Sequence, residues 1–307
     1  MKEDVVSRDA WWADKALVVY MLIACVITWL CWGVAILVSN RQGYLLPAQD
    51  AYLALAREGF ADPLHALIAF IFVLGGFGPL VGALLATRLE SGAEGVTALW
   101  RQITRARIGG RWYAIAALLA LAMAGGPLLA GVLTGQFAAG GLLALAPFFL
   151  PLLVWEIVIS LGEEPGWRGF LLPRLQARMS GDRYIWVLGA LWAVWHYPYV
   201  IYHELAAMPT MPPPAMLIGV IVALAGYTIT LIAYTYLYVW LYNHTKSVFL
   251  AILFHAFLNM AALIAFSAVR EADSLLIMVT ALTPWAIVLL LGRVLGDQKF
   301  PGQPETL

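Results

Sequence analysis

The chain has 307 residues, of which 63% are hydrophobic and only 12% are charged, and its formal net charge is zero. A soluble domain carries about 25% charged residues, so this composition excludes a soluble globular protein and indicates a membrane protein. The neutral balance gives no sign of a nucleic-acid partner, and we expect none.

Long segments without Asp, Glu, Lys or Arg make up most of the chain. Each can hold a helix of the roughly 20 residues that cross a bilayer, and none shows the alternation of a membrane barrel. We predict an all-α polytopic membrane protein, a single membrane domain over residues 1–307, with about eight transmembrane helices around a polar cavity. The predicted spans are residues 16–38, 64–87, 112–134, 142–162, 184–203, 215–242, 248–268 and 274–296.

The placement of basic residues predicts the orientation. With eight spans, one side of the membrane receives both termini and the loops near residues 88–111, 163–183 and 243–247. This side, called the basic side below, holds every Lys and Arg except Arg41, Arg57 and Arg270. By the positive-inside rule we expect the basic side, with both termini, in the cytoplasm of a prokaryote whose cytoplasmic membrane holds the protein.

Features of the first two spans indicate packing rather than chemistry. Cys25 and Cys31 are six residues apart in the first span and share no helix face. Without a paired-ligand spacing, we expect neither a redox nor a metal role for them. Gly78 and Gly82 form a Gly-x-x-x-Gly pair in the second span, which is typical of close helix packing.

Residues 90–111 are expected to form an amphipathic helix on the cytoplasmic membrane surface. Helical spacing collects apolar side chains on one face and leaves basic ones off it, as in helices that lie in the interface plane. The apolar residues are Val96, Leu99, Trp100 and Ile103, and the basic ones are Arg101, Arg105 and Arg107.

Two adjacent carboxylates, Glu163 and Glu164, stand at the end of the fourth predicted span. A charge at the centre of a membrane helix costs roughly 2.5–3.5 kcal/mol on insertion scales, and such residues usually mark function. Glu164 and Arg168 are four apart, which predicts that they pair on one helix face. Glu163 is then the freer carboxylate and the candidate general base. An ordinary ion pair at a helix end is the alternative.

Glu156 lies deeper in the same span, seven residues before Glu163 and close to Ser160. This spacing puts Glu156 and Glu163 on roughly one helix face. We expect Glu156 to be a proton relay or a supporting group. The alternative is a protonated carboxyl that is hydrogen-bonded to a neighbouring helix.

Later spans add imidazole and amide groups. Trp192 and His196 share a face of the fifth span, and His255 and Asn259 share a face of the seventh. His and Asn on one face can donate two hydrogen bonds to an oxyanion, although satisfied interhelical hydrogen bonds are the alternative. The remaining histidines, expected to be interfacial, are His65, His203 and His244.

Other enzyme classes lack their motifs. The sequence has no His-Glu-x-x-His zinc helix, no Gly-x-Ser-x-Gly elbow, and no Walker or dinucleotide fingerprint. No Asp falls within a predicted span, which argues against an intramembrane aspartyl protease.

Three motifs in order suggest a family. Glu163-Glu164-x-x-x-Arg168, Trp192-x-x-x-His196 and His255-x-x-x-Asn259 together resemble the motifs of the CAAX protease and bacteriocin-processing family. These are intramembrane proteases similar to the type II CAAX prenyl endopeptidase. The resemblance covers residues 142–265, the expected catalytic core. Trp192 is a departure, because the family pattern more often has Phe there, but an aromatic wall is kept.

The resemblance implies a glutamate-type intramembrane endopeptidase. Glu163 would activate water and His196 would hold it, while His255 and Asn259 would stabilise the oxyanion. Supporting residues would be Glu164 and Arg168, and we add Glu156 and Trp192. A metal has also been proposed for such enzymes, and the possible zinc ligands would be Glu163, His196 and His255. We expect no cofactor, because the histidines lie on separate helices without ligand spacing.

The expected partners are membrane lipid and a peptide or lipidated-protein substrate, reached through a cavity that opens to the cytosol. The sequence does not decide between prenylated tails and bacteriocin leaders as substrates. Two other functions also stay open. One is a non-catalytic immunity or scaffold protein of the same fold. The other is a proton-coupled transporter, although the sequence shows no internal repeat of the kind that transporters often have.

Overall fold

The structure, a computed structural model, describes residues 3–48, 51–208, 210–270, 274–296 and 300–301. Within these ranges the chain forms helices and no strand, apart from an isolated bridge between Phe137 and Val269. The all-α fold class is therefore confirmed. The helices are α1 (Glu3–Gln42), α2 (Tyr52–Glu58), α3 (Pro63–Gly75), α4 (Gly78–Ile103), α5 (Gly110–Leu133), α6 (Ala139–Leu145), α7 (Phe149–Glu164), α8 (Leu172–Gln176), α9 (Arg183–Ala207), α10 (Pro213–Thr245), α11 (Val248–Ser267) and α12 (Ser274–Leu295).

Most of the predicted spans coincide with helices that can cross a membrane, which makes the chain an integral membrane protein. Six helical runs are long and apolar enough: Lys15–Gln42, Gly110–Leu133, Ala139–Gln176, Pro213–Thr245, Val248–Ser267 and Leu275–Leu295. The pair α3 and α4, bent by 45°, makes a seventh when it is counted as one span. The predicted span 184–203 is also helical, as part of α9, but its Trp, Tyr and His side chains make it too polar for this set.

Hydrogen bonds between helix connections place several of them on one side of the bundle. The Tyr242 hydroxyl donates to Gln102 Oε1 at 2.9 Å, and the Ser247 hydroxyl donates to the Arg105 carbonyl at 2.6 Å. These bonds join the end of α4 to the turn between α10 and α11. Gln176 at the end of α8 lies on the same side, because its amide donates to Asn243 Oδ1 at 2.9 Å. This is the basic side that the sequence predicts.

The remaining connections meet on the opposite side. The Arg270 amide donates to the Gln136 carbonyl at 3.0 Å, which joins the ends of α5 and α11. Arg57 Nη2 donates to the Ala144 carbonyl at 3.1 Å, which joins α2 to α6. The helices thus alternate in direction, as the sequence predicts. Which side faces the cytoplasm stays a prediction.

The predicted end of the fourth span, at residue 162, is wrong. α7 continues into a π-helical segment, Pro165–Leu171, and then into α8, so the helical run Ala139–Gln176 has 38 residues. Pro165 lacks the amide hydrogen of a regular turn, and the π-helical pattern accommodates this loss without ending the helix. Glu163 and Glu164 therefore lie inside a helical run and not at its end.

The predicted amphipathic segment 90–111 is helical as far as Ile103 and again from Gly110, where α5 begins. It contains a bend at Gly92, where φ is +65° inside α4. Leu99 and Ile103 are buried, whereas Trp100 is 44% exposed. Half of the predicted apolar face is thus packed against the protein, and a membrane-surface location for the rest stays a prediction.

Glycines bring three helices into backbone contact around the acidic pair. A Cβ added to Gly162 would lie 2.7 Å from the Gly76 carbonyl oxygen, between α7 and the junction of α3 with α4. On α4, a Cβ at Gly78 would lie 2.5 Å from the Ala24 carbonyl oxygen of α1, and Gly82 is similarly close to α1. The predicted packing role of the Gly78 and Gly82 pair is confirmed. This contact fixes the position of α7 just before Glu163.

We predict that Gly162→Ala destabilises the protein, because the added methyl group meets a backbone oxygen that has no free space to move into. Overpacking of this kind typically costs about 1–3 kcal/mol. Thermal unfolding in detergent measures the effect. The matched control is Gly226→Ala in α10, where the added Cβ meets nothing within 4 Å. Equal unfolding temperatures for the two variants would contradict the predicted contact.

Candidate active site

A cavity of about 250 Å³ lies among α1, α3, α7, α9, α10 and α11. All four predicted catalytic residues line it: Glu163, His196, His255 and Asn259. Eight of the other lining residues are aromatic: Trp32, Tyr52, Phe72, Trp192, Tyr199, Tyr227, Tyr234 and Tyr238. A water molecule takes up about 30 Å³ of liquid, so the cavity has room for water and for part of a peptide.

Glu163 presents a carboxylate to this cavity and is 5% exposed. Its Oε2 accepts a hydrogen bond from Trp192 Nε1 at 3.0 Å. An indole N–H only donates, so this bond orients the Glu163 carboxyl group by holding one of its oxygens toward Trp192. Trp192, predicted as a supporting residue, therefore holds the candidate base directly.

Glu164 has a different environment. It is fully buried, and its Oε1 accepts from Arg168 Nη1 at 3.0 Å and from His255 Nδ1 at 2.7 Å. The predicted pairing of Glu164 with Arg168 is confirmed. The Arg168 guanidinium, also fully buried, lies 4.1 Å from the ring centre of Trp192 and 3.7 Å from that of Tyr238. This cation is thus held by one carboxylate and two aromatic faces.

Hydrogen bonds define the tautomers of the two cavity histidines. His196 Nδ1 lies 2.9 Å from the Trp192 carbonyl oxygen, and His255 Nδ1 contacts Glu164. A carbonyl and an ionised carboxylate only accept, so each Nδ1 carries the hydrogen. In the neutral ring, Nε2 is then the acceptor nitrogen. Each histidine can therefore accept a proton or a hydrogen bond at Nε2, and donates there only after it is protonated.

Asn259 connects the cavity to Glu156. Its Nδ2 donates to Glu156 Oε2 at 2.8 Å across the contact between α7 and α11. Glu156 is fully buried and does not line the cavity, and the Ser160 hydroxyl donates to the backbone carbonyl of Glu156 at 2.6 Å. The sequence pattern relates Glu156 to Glu163, whereas the hydrogen bond joins Glu156 to Asn259.

The other three histidines lie away from the cavity wall. His65 is buried, with Nε2 2.7 Å from the Leu45 carbonyl and Nδ1 accepting from the Ala61 amide at 3.0 Å. It thereby ties the connection after α1 to the start of α3. His244 Nδ1 contacts the Trp240 carbonyl at 2.8 Å, and the His203 ring meets the Tyr199 ring edge to face. None of the three lines the cavity.

Three tyrosines of α10 were not predicted as site residues. Tyr227, Tyr234 and Tyr238 line the same cavity as Glu163. Their spacings of seven and four put them on one helix face. The signal was therefore present in the sequence, but it identifies a site only when the facing helices are known.

The residues predicted as possible zinc ligands do not fit a metal ion. Glu163, His196 and His255 share the cavity, but in the described part of the chain no three His, Cys, Asp or Glu side chains form a group that could hold one. No step of the mechanism below uses a metal.

Toward the basic side, beyond Glu163, four fully buried side chains do not line the cavity, namely Tyr20, Trp167, Arg168 and Phe170. His255, at this end of the cavity, lies seven residues after Val248, or roughly 10 Å from the start of α11. Toward the opposite side, the lining reaches Pro47, Ala48 and Tyr52 in the connection between α1 and α3. The lining thus extends toward the side opposite the basic side, whereas the sequence analysis expects an opening to the cytosol; the cytoplasmic location of the basic side stays a prediction.

Comparison with known proteins is consistent with this site. Residues 144–261 match the family model "Type II CAAX prenyl endopeptidase Rce1-like", which confirms the resemblance carried by the three motifs. All of the predicted site residues fall within the matched segment. A curated relative, "CAAX prenyl protease 2" of Methanococcus maripaludis, is 32% identical over 65 residues, which cover 21% of this chain. The match spans 24% of the relative's own length.

We predict that Arg168→Met strongly destabilises the protein. The substitution leaves Glu164 buried without its cation, and breaking a buried pair from one side costs about 3–5 kcal/mol. Thermal unfolding in detergent is the measurement, with Arg101→Met at an exposed position as the control. If both variants unfold at the temperature of the unmodified protein, the ion pair does not stabilise the site.

We predict that the cavity is accessible to water from the side opposite the basic side. A cysteine at Ala262, which lines the cavity, is introduced after Cys25 and Cys31 are replaced by alanine. Membrane-impermeant maleimide should label Ala262→Cys in vesicles of the same orientation that label Arg57→Cys. Labelling together with Arg101→Cys, on the basic side, would contradict the direction of the cavity.

Proposed function

We propose that this protein is an intramembrane endopeptidase that hydrolyses a peptide bond by water activated at a glutamate. The observation that carries the proposal is the convergence of Glu163, His196, His255 and Asn259 on one cavity within a helical membrane domain. A concave site with a few converging polar groups is the usual form of an active site. The family match and the name of the Methanococcus relative support proteolysis.

In the first step, a water molecule lies between Glu163 and His196. The Glu163 carboxylate accepts one water proton as general base, and His196 Nε2 accepts a hydrogen bond from the other. The water oxygen then forms a bond to the carbonyl carbon of the substrate, and the carbonyl electrons move to its oxygen. The Trp192 side chain orients Glu163, and the Trp192 backbone carbonyl orients His196.

The tetrahedral oxyanion is stabilised on the α11 side of the cavity. Asn259 donates an amide hydrogen to it, and His255 donates from Nε2 when it is protonated. Glu164 orients the His255 ring, because its carboxylate accepts from Nδ1 at 2.7 Å. When the carbon–nitrogen bond breaks, the leaving amine takes the proton that Glu163 accepted, and Glu163 returns to its carboxylate form.

The setting restricts the substrate to a membrane-associated or amphipathic peptide, or a lipidated protein, because the cavity is enclosed by membrane helices. Membrane lipid is the expected partner, and no nucleic acid is expected. The archaeal source of the relative supports a prokaryotic cytoplasmic membrane as the location. We keep both termini in the cytoplasm on the basic side, which places the cavity toward the outer face.

We predict that Glu163→Gln abolishes peptide cleavage while the protein stays folded. The amide keeps the shape and the hydrogen bond from Trp192 but cannot accept a proton, and loss of a general base typically lowers turnover by roughly 10²–10⁴-fold. Purified protein in detergent is tested on a panel of amphipathic and lipidated peptides, with and without chelator. The matched control is Glu94→Gln, an exposed carboxylate on α4.

The outcomes of this experiment separate the candidate functions. Unchanged turnover in Glu163→Gln refutes the catalytic assignment. A cellular phenotype that survives the combined loss of Glu163, His196 and His255 indicates an immunity or scaffold protein. Proton-coupled uptake into proteoliposomes indicates a transporter. Inhibition by chelator, reversed by zinc, would replace the metal-free mechanism.

A further inference from the structure

We infer that the connection between α4 and α5 carries a binding site for the phosphate group of an anionic membrane lipid. The site is formed by Arg105, Arg107 and Arg111 on the basic side of the protein. None of the three lines the cavity, and the proposed mechanism uses none of them. The inference therefore goes beyond the proposed function and does not depend on it.

The positive charge of these arginines has no counter-charge in the described part of the chain. All three side chains are exposed, and none forms an ion pair with a described carboxylate. The sequence has no Asp or Glu between Glu94 and Glu156, so the neighbouring chain supplies none. On the same side, the Glu90 carboxylate is already paired with Arg174. The charge of the connection is thus available to an external anion.

Hydrogen bonds fix the backbone that carries the arginines. The Ser247 hydroxyl donates to the Arg105 carbonyl at 2.6 Å, which joins the connection to the start of α11. The Tyr113 hydroxyl donates to the Ala106 carbonyl at 2.6 Å, and the Ile108 amide donates to the same carbonyl at 3.0 Å. These bonds use backbone carbonyls and leave the arginine side chains exposed. The charges are therefore presented by an ordered connection.

The spacing and the type of the basic residues suit a phosphate. Arg105 and Arg107 are two residues apart, so their Cα atoms are at most about 7 Å apart and both guanidinium groups can reach one phosphate. Arginine presents a planar fork of N–H donors that matches phosphate oxygens, whereas lysine is a point charge. Every basic residue from 88 to 111 is an arginine. This composition favours recognition of a phosphate group.

The position of the connection identifies a membrane lipid as the source of the phosphate. α5, which is long and apolar enough to cross a membrane, begins at Gly110, directly after the connection. Trp100, in the last turn of α4, is 44% exposed, and tryptophan at the end of a span is typical of the headgroup region. Arginines at this depth meet lipid phosphates, and a lipid with net negative charge attracts them most strongly.

The experiment compares lipid binding by the purified full-length protein in detergent. Phosphatidylglycerol and phosphatidylcholine are titrated separately, and native mass spectrometry counts the lipid molecules that stay bound. We expect saturable binding of phosphatidylglycerol and much weaker binding of phosphatidylcholine. An interfacial arginine contributes roughly fivefold to such an affinity, so Arg105→Gln combined with Arg107→Gln should weaken phosphatidylglycerol binding by roughly tenfold or more.

The matched control is Arg88→Gln combined with Arg183→Gln, which removes the same charge from exposed positions on the same side. This variant should bind phosphatidylglycerol almost as tightly as the unmodified protein, because exposed charges farther away than a Debye length are screened. Equal losses in the two double variants would show that the attraction is diffuse, and the inference would be wrong. Equal retention of both lipids would also overturn it. If inorganic phosphate competes as well as phosphatidylglycerol does, the ligand is free phosphate and not a membrane lipid.

Thermal unfolding shows whether each variant is folded. The exchanged side chains are exposed and the hydrogen bonds of the connection use backbone carbonyls, so glutamine should leave the fold intact. Should Arg105→Gln combined with Arg107→Gln fail to fold, Arg107→Gln combined with Arg111→Gln takes its place, with the same expected loss and the same control.

Discussion

The site depends on one buried carboxylate that serves two partners. Glu164 accepts hydrogen bonds from Arg168 and His255 through the same oxygen, and so joins α7, the π-helical segment and α11. In a membrane interior the charges of a buried pair are weakly screened, so each partner strongly constrains the others. The faces of Trp192 and Tyr238 cover the cation and complete the cluster. The position of the cavity residues follows from this cluster rather than from a flexible loop.

Glu163 and Glu164 have different environments because consecutive residues point to different sides of a helix. Consecutive residues point about 100° apart on a helix, so one carboxylate of the pair faces the cavity and the other faces the protein interior. Trp192 serves both: its N–H holds Glu163, while its ring covers the guanidinium that pairs with Glu164. Both cavity histidines are held by their Nδ1 atoms, His196 by the Trp192 carbonyl and His255 by Glu164, so each ring keeps one orientation. The charge of Glu164 is thus paired with that of Arg168 in the protein interior, whereas Glu163 faces the cavity.

Sequence patterns predicted the parts that depend on periodicity. Apolar runs gave the helices, the spacing of four gave the Glu164 and Arg168 pair, and the motifs identified the residues that the structure gathers at one cavity. Contacts between helices were out of reach, because spacing describes a single helix. The bond from Asn259 to Glu156 is of this kind. The helix that continues past Pro165 was missed because proline usually ends a helix, and the depth of the acidic pair was missed with it.

The burial of Glu163 limits the conformation of any chain that would reach it. Its side chain is 5% exposed and lies in a cavity lined partly by aromatic rings. A substrate of the proposed peptidase would have to enter as an extended strand, because the backbone carbonyls of an α-helix are already hydrogen-bonded within the helix. Segments that form helices poorly, such as those with glycine or proline next to a membrane anchor, would be cut first. Local melting of the substrate, rather than a particular side chain, would then set which bond is chosen.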